Sequence, residues 1–379
     1  MPNSSPTLSE RRERERSRQF LTKTTMSSAI PDSLCIFRLS ALGDVTHVLP
    51  LVRRVQQFWP QTRITWIIGR FEHRLVGDIA GIEFIIVDKK RGMAAWHDLR
   101  ASLAARRFDV LLQCQVSLRA NVLGRAVRAD TRVGFDWARS KELHSLFVNR
   151  RITAAQSQHV LEAIGSFGDA IGLPAAAPRW DIPISDADRE FAARHLAGDQ
   201  QTLIISPCSS HRLRNWHAGG YAAIADHAQT RHGMRVVLCG GPSAIEREMG
   251  DAILTLARNP LIDLIGKDTL KQLLALLQRA TVMLTPDSGP MHMANAVGTP
   301  VIGLHAATDA KRSGPYPDQR WCINRYAEAA ERFLKSPAAK VRWGLRIEYP
   351  GVMDLIETEA VIERLDALMA ARQLEVLTR

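Results

Sequence analysis

From Leu34 onward the chain alternates short apolar runs with longer stretches whose apolar residues recur every three or four positions. The short runs predict strands at Leu34–Leu39, Arg63–Ile68, Phe84–Val87, Val110–Gln113 and Thr131–Gly134. Between them the helical spacing predicts helices over Val45–Phe58, Met93–Arg107 and Gln156–Ile171. In Met93–Arg107 the spaced residues are Trp96, Leu99, Leu103 and Ala104. The helix over Gln156–Ile171 is stopped by Gly172 and Pro174.

Residues 172–200 carry Pro174, Pro178 and Pro183 and read as a linker. The alternation then restarts, with strands predicted at Thr202–Ser206, Arg235–Cys239, Leu261–Leu264, Thr281–Thr285 and Val301–Leu304. Helices are expected at Gly219–Arg231, Ser243–Ala257, Leu270–Arg279 and Pro290–Ala296, and a final one at Asp354–Ala371. Strands that alternate with helices imply parallel sheets covered on both faces. The expected organisation is a disordered basic tail over residues 1–30, Rossmann-like α/β domains over 31–180 and 181–350, and a closing helix over 351–379. Ligands of such sheets bind outside the carboxyl ends of the strands, so the chemistry is sought in the loops that follow them.

Charge is uneven along the chain. Of the net +11, residues 1–30 supply +3 (6 Lys/Arg, 3 Asp/Glu), residues 31–180 supply +8 (21 against 13), and the rest balances at 23 against 23. A basic first half suggests an anionic partner. Five scattered cysteines without a C-x-x-C pair point to neither a disulfide framework nor a zinc site. No apolar run reaches the ~20 residues that cross a bilayer, and the charged N-terminus lacks a signal-peptide core. The expectation is a cytoplasmic protein.

Four loops stand out. Arg38-Leu39-Ser40-Ala41-Leu42-Gly43-Asp44-Val45-Thr46-His47 follows the first strand, and Asp44 at the next helix start is placed to take a proton from a hydroxyl. The competing reading is a helix cap. Thr285-Pro286-Asp287-Ser288-Gly289-Pro290-Met291-His292 opens a helix in the second half. Its N–H groups at Ser288 and Gly289, with His292 one turn in, suit a diphosphate. In Ser206–Trp216, Arg214 is a candidate for bidentate pairing with phosphate. In Cys239–Glu246 a glycine pair precedes Glu246, a candidate for ribose hydroxyls or an exposed helix residue.

Taken together these loops resemble glycosyltransferase family 9, the lipopolysaccharide heptosyltransferases. The resemblance rests on Arg38–Asp44 followed by Pro50, on Asp287–His292, and on Ala294, Ala296, Gly298, Thr299 and Pro300. It implies a GT-B fold: an acceptor-binding first domain, a donor-binding second domain, and a cleft between. It further implies inverting transfer of heptose from ADP-heptose to the lipopolysaccharide inner core. By resemblance Asp44 is the base, and Arg214, Asp287, Ser288, Gly289 and His292 serve the donor. Arg214 stands where the family has lysine, and His305-Ala306-Ala307-Thr308-Asp309 replaces the usual Gly-Pro-Thr-like loop.

No metal or other cofactor is expected. The expected partners are a nucleotide sugar, an acidic glycolipid and, transiently, the inner-membrane surface. The rival readings are another nucleotide-sugar donor, a sugar epimerase, or an idle nucleotide-sugar binder. A nucleic-acid binder is disfavoured for want of a recognition motif.

Overall fold

The computed structural model describes residues 30–377, so the expected tail lies, apart from Ile30, outside the described residues. The first domain holds β1 (Ser33–Phe37), α1 (Leu42–Phe58), β2 (Arg63–Gly69), α2 (Arg70–Val76), β3 (Ile82–Val87), α3 (Met93–Ser102), β4 (Phe108–Gln113), α4 (Leu118–Gly124), β5 (Ala129–Gly134), β6 (Arg150–Arg151) and α5 (Val160–Ala170). The second holds α6 (Asp186–His195), β7 (Thr202–Ile205), α7 (Ala218–His232), β8 (Arg235–Leu238), α8 (Ala244–Leu256), β9 (Ile262–Asp263), α9 (Leu270–Arg279), β10 (Val282–Pro286), α10 (Gly289–Ala296), β11 (Val301–His305), α11 (Ala310–Ser313), β12 (Ile323–Asn324), α12 (Tyr326–Leu334) and α13 (Thr358–Leu377).

Each domain carries one six-stranded parallel sheet. The orders are β3-β2-β1-β4-β5-β6 and β12-β11-β10-β7-β8-β9, and the two are equivalent once each domain's strands are counted from its first. β1 and β7 therefore lie at the points where strand order reverses. Cys35 of β1 pairs with Thr65 on one side and Leu111 on the other. At such a point the loops after neighbouring strands diverge and leave a crevice. The central strands are buried on both faces, which explains their continuous apolar runs.

The helix starts follow local chemistry. Ser185, Ser243 and Thr269 each accept the N–H three residues on, and Gln272 completes a capping box at α9. Pro50 sits inside α1, which continues through it.

Several boundaries differ from the sequence expectation. α1 begins at Leu42, so Gly43 and Asp44 belong to its first turn. The helix from Met93 ends at Ser102. The expected linker contains α6, whose Ala192 is buried and which packs along α9. Its prolines precede that helix rather than interrupt it. β6, β9 and β12 are two-residue edge strands, too short to carry a periodic signal. α13 packs on α7 of the second domain, and Trp216 Nε1 donates to Ile356 O at 3.0 Å beside it.

The domains touch extensively. α1 packs against α10. Trp343 Nε1 donates to Gln158 O at 3.0 Å, and Lys271 pairs with Asp78 at 2.7 Å. The crossing contacts bring the loop after β1 against the loop after β10.

Candidate active site

The loop after β1 is pinned from both sides. Trp66 Nε1 donates to Arg38 O at 3.2 Å, and Leu39 N–H donates to Gln115 Oε1 at 2.9 Å. The chain then turns into α1, and Asp44 Oδ2 accepts Ala41 N–H at 3.1 Å while meeting the Arg38 guanidinium. The capping reading is thus realised. It does not consume the group: the Asp44 side chain stays 32% exposed at the domain boundary.

Across that boundary lies the start of α10. A methyl built on Gly43 would stand 2.4 Å from His292 Cδ2, and one built on Gly289 would stand 3.0 Å from Leu42 Cβ. Glycine in each motif thus lets the opposite motif approach. Ser288 caps α10 without a side-chain bond to its amides, because its hydroxyl is 2.9 Å from Thr285 Oγ1. The amides at the start of α10 are therefore not taken by the capping side chain.

His292 leads a buried imidazole cluster. Its ring centroid is 4.4 Å from that of His47, which is 5.7 Å from that of His159. His159 Nδ1 accepts Leu161 N–H at 3.1 Å, which leaves Nε2–H to donate to Gly314 O at 3.0 Å. These partners hold it neutral, and burial, set against the Gly314 bond and joined by nearby positive charge, depresses its pKa to about 4. His47 is held well below the usual histidine range by burial, then by His292, His159, Arg38 and Arg312. Burial also lowers His292, although Asp287 and Asp44 pull the other way.

Asp287 behaves oppositely. Burial would raise it, but His305 and His292, with hydrogen bonds from Thr308 and Ser313, leave it below the usual carboxylate range. Ser313 Oγ donates to its Oδ2 at 3.0 Å, and His292 Nε2 is 3.9 Å from its Oδ1.

Arg214 lies in the turn after β7. Its Nε is 3.3 Å from Glu348 Oε1, and Nη2 donates to Ser210 Oγ at 3.2 Å. Burial lowers its pKa, and so does Arg346, against Asp287 and Glu348. The structure thus gathers Asp44, Asp287, Ser288, Gly289, His292 and Arg214 around one boundary.

Glu246 is placed differently. Its carboxylate accepts Gly241 N–H at 2.6 Å and the Ser243 hydroxyl at 2.5 Å, closing the start of α8. Beside it Asp268 is pushed up to about 7, by burial before the Glu246 charge.

Sequence reasoning missed the remaining cations. Arg312 is half-buried and feels the charges of both Asp44 and Asp287, and Arg346 bears on Arg214 and Arg312 alike. Lys141 of the first domain is lowered by burial and by Arg342, Arg312 and Arg346 of the second. Among the described residues the side chains of Lys141, Arg312, Arg342 and Arg346 enter no hydrogen bond or ion pair. Such a set favours a multiply charged anion. No motif marks these residues, since each is an ordinary exposed-looking cation in its own stretch. His159 is equally unmarked, and His47, at the end of the first motif, carries no role in the sequence reading.

A cavity of about 320 Å³ opens behind His47, between α1 and α5, with Tyr316 at its edge. Elsewhere His227 and His232 both bond Asp366 Oδ1, at 2.7 and 2.6 Å, and tie α7 to α13. The five cysteines are all buried free thiols.

Residues 96–341 match glycosyltransferase family 9 (heptosyltransferase). The chain is 38% identical over 338 residues to the lipopolysaccharide core heptosyltransferase OpsX of Haemophilus influenzae, covering 89% of this chain and 97% of that protein. The chain belongs to glycosyltransferase family 9. It is a glycosyltransferase with two Rossmann-like domains of the GT-B kind. Lipopolysaccharide heptosyltransferase 1 of Salmonella typhimurium is 23% identical over 74% of this chain and 90% of its own length. Among solved structures, a family 9 glycosyltransferase from Veillonella parvula superposes with a TM-score of 0.72 at 21% identity, over 90% of this chain and 97% of that one. E. coli heptosyltransferase WaaC with ADP gives 0.64 at 21%, over 77% and 92%. At these identities the structural likenesses speak to the fold. The family 9 residues singled out from sequence are those that the domain boundary brings together, with Glu246 set apart.

Proposed function

We propose that this family 9 enzyme transfers heptose from ADP-heptose to the inner core of lipopolysaccharide, with inversion, at the cytoplasmic face of the inner membrane. The observation that carries this reading is the meeting of Asp44 with the start of α10 across the Gly43–His292 contact. The relatives' names supply the sugar and the acceptor class.

In this mechanism Asp44 takes the proton of the acceptor hydroxyl as its oxygen attacks the anomeric carbon. The bond from that carbon to the diphosphate oxygen breaks, and the nucleoside diphosphate leaves with the electron pair. The amides at Ser288 and Gly289 and the Arg214 guanidinium stabilise the charge that develops on it. Asp287, fixed by Ser313, faces the donor sugar. Glu246 accepts from the donor ribose only if a ribose hydroxyl displaces one of its local donors. Arg312 and Arg346 hold acceptor anions close to Asp44. Burial of the site limits hydrolysis of the donor.

Calorimetry of ADP-heptose against UDP- and GDP-sugars tests the donor, and heptose transfer to a Kdo-bearing acceptor tests the reaction. Binding of ADP-heptose with transfer is the expected result. Preference for a UDP- or GDP-sugar overturns the donor, and binding without turnover points to the idle binder.

A further inference from the structure

The segment 135–147 after β5 buries two of its polar residues and exposes three of its large apolar ones. Asp136 and His144 are buried. Asp136 Oδ1 accepts Arg139 N–H at 3.0 Å, and His144 Nδ1 lies 2.8 Å from Asn121 Oδ1 of α4. Asn121 Nδ2 also donates to Glu142 O at 3.1 Å, and the Glu142 carboxylate accepts Leu118 N–H at the first turn of α4. The loop is therefore a built structure, tied to α4 through its polar groups.

Much of what it presents to solvent is apolar. Trp137 is 70% exposed, Leu143 63% and Leu146 74%, and Leu118 and Val122 continue the surface along α4. Arg151 stacks on the Trp137 ring at 3.9 Å and donates to Ser145 O at 3.0 Å, which links Trp137 to the Leu146 end of the loop. Single exposed apolar residues need no explanation, but several gathered on one hydrogen-bonded loop and the helix it is tied to mark a contact surface.

Its charge specifies the partner. Residues 118–151 hold 8 Lys/Arg against 3 Asp/Glu. Arg119, Arg125 and Lys141 are exposed beside the apolar residues, and none of their side chains enters a hydrogen bond or ion pair among the described residues. Trp and Leu beside Lys and Arg suit the headgroup layer of an anionic bilayer.

We infer that α4 and the loop 135–147 dock this enzyme on an anionic lipid bilayer. Lys141 is exposed on this surface and also feels the charges of Arg312, Arg342 and Arg346 of the second domain. Docking there sets the mouth of the domain boundary against the membrane, where a lipid-anchored acceptor presents its sugar. That consequence rests on the proposed acceptor; the lipid contact does not.

The test is co-sedimentation of the full chain with acceptor-free vesicles, comparing phosphatidylethanolamine–phosphatidylglycerol with pure phosphatidylcholine. Wild type partitions onto the anionic vesicles. The double variant W137A/L146A loses about tenfold or more of that partitioning, and R119E/R125E loses it in a salt-dependent way. Transfer to a lipid-free acceptor is unchanged in W137A/L146A. The inference is overturned if wild type ignores anionic vesicles, or if W137A/L146A binds them as well as wild type. It is equally overturned if sedimentation velocity shows a wild-type dimer that this variant abolishes, since a second copy then covers the patch. Vesicle binding is read without turnover, so failure of the transfer reaction counts against the proposed function alone.

Discussion

Gly43 and His292 face each other across the domain boundary with no room for a methyl group between them. One belongs to the first turn of α1 and the other to α10, so the helix starts that follow β1 and β10 meet here, as they do again at Gly289 and Leu42.

The first prediction follows directly. Gly43→Ala forces its methyl to 2.4 Å from His292 Cδ2, and overpacking of this kind costs about 1–3 kcal/mol. Thermal denaturation is expected to show a lowered Tm, and transfer assays a lowered kcat. Combining it with His292→Ala removes the clash, so the stability losses of the two changes are less than additive. Additive losses would mean the two residues do not meet.

Asp44 caps α1 and is also the proposed base. Asp44→Asn keeps an oxygen for Ala41 N–H but removes the proton acceptor. The fold and donor affinity are expected to survive while kcat falls by about 10²–10⁴. Turnover near wild type in a folded variant removes Asp44 from the mechanism.

Arg214 is held by Glu348 and Ser210 and bears on Asp287. Losing a charged hydrogen-bonding group at a phosphate costs about 1.5–3 kcal/mol. Arg214→Ala should weaken ADP-sugar binding by roughly ten- to a hundredfold, read by calorimetry. Arg214→Lys should recover part of it, because the charge returns without the planar fork. A donor affinity unmoved by Arg214→Ala would place the diphosphate elsewhere.

The buried histidines give stability a pH dependence. His144 and His159 are both depressed to about 4, chiefly by burial, from an ordinary value of 6.5. Below pH 6.5 the unfolded chain takes up protons that the folded protein refuses until about pH 4, so stability falls as pH drops through that window. The loss is on the order of 2–3 kcal/mol per histidine. Denaturant midpoints measured from pH 7 to pH 4 should fall, and His159→Gln should flatten the slope. A midpoint constant over that range contradicts neutral burial.

The sequence by itself determined the two runs of strand and helix and the loops that carry Asp44 and Asp287. Both signals are local: apolar periodicity reports which face of an element is buried, and glycine beside a helix start reports a turn. It also marked Arg214 and His292, because each lies in the stretch that follows a strand.

Only the tertiary structure decided which of these groups meet. Lys141, Arg312 and Arg346 converge although long stretches of chain separate them, and nothing in their own neighbourhoods distinguishes them from solvated surface charge. Glu246 shows the reverse, a promising carboxylate turned onto Gly241 and Ser243 by its own helix cap. α6 hid behind a proline-rich stretch because its burial comes from α9, a partner that no local pattern names. Convergence depends on strand order and on how one sheet sits against the other, and these are settled by long-range packing.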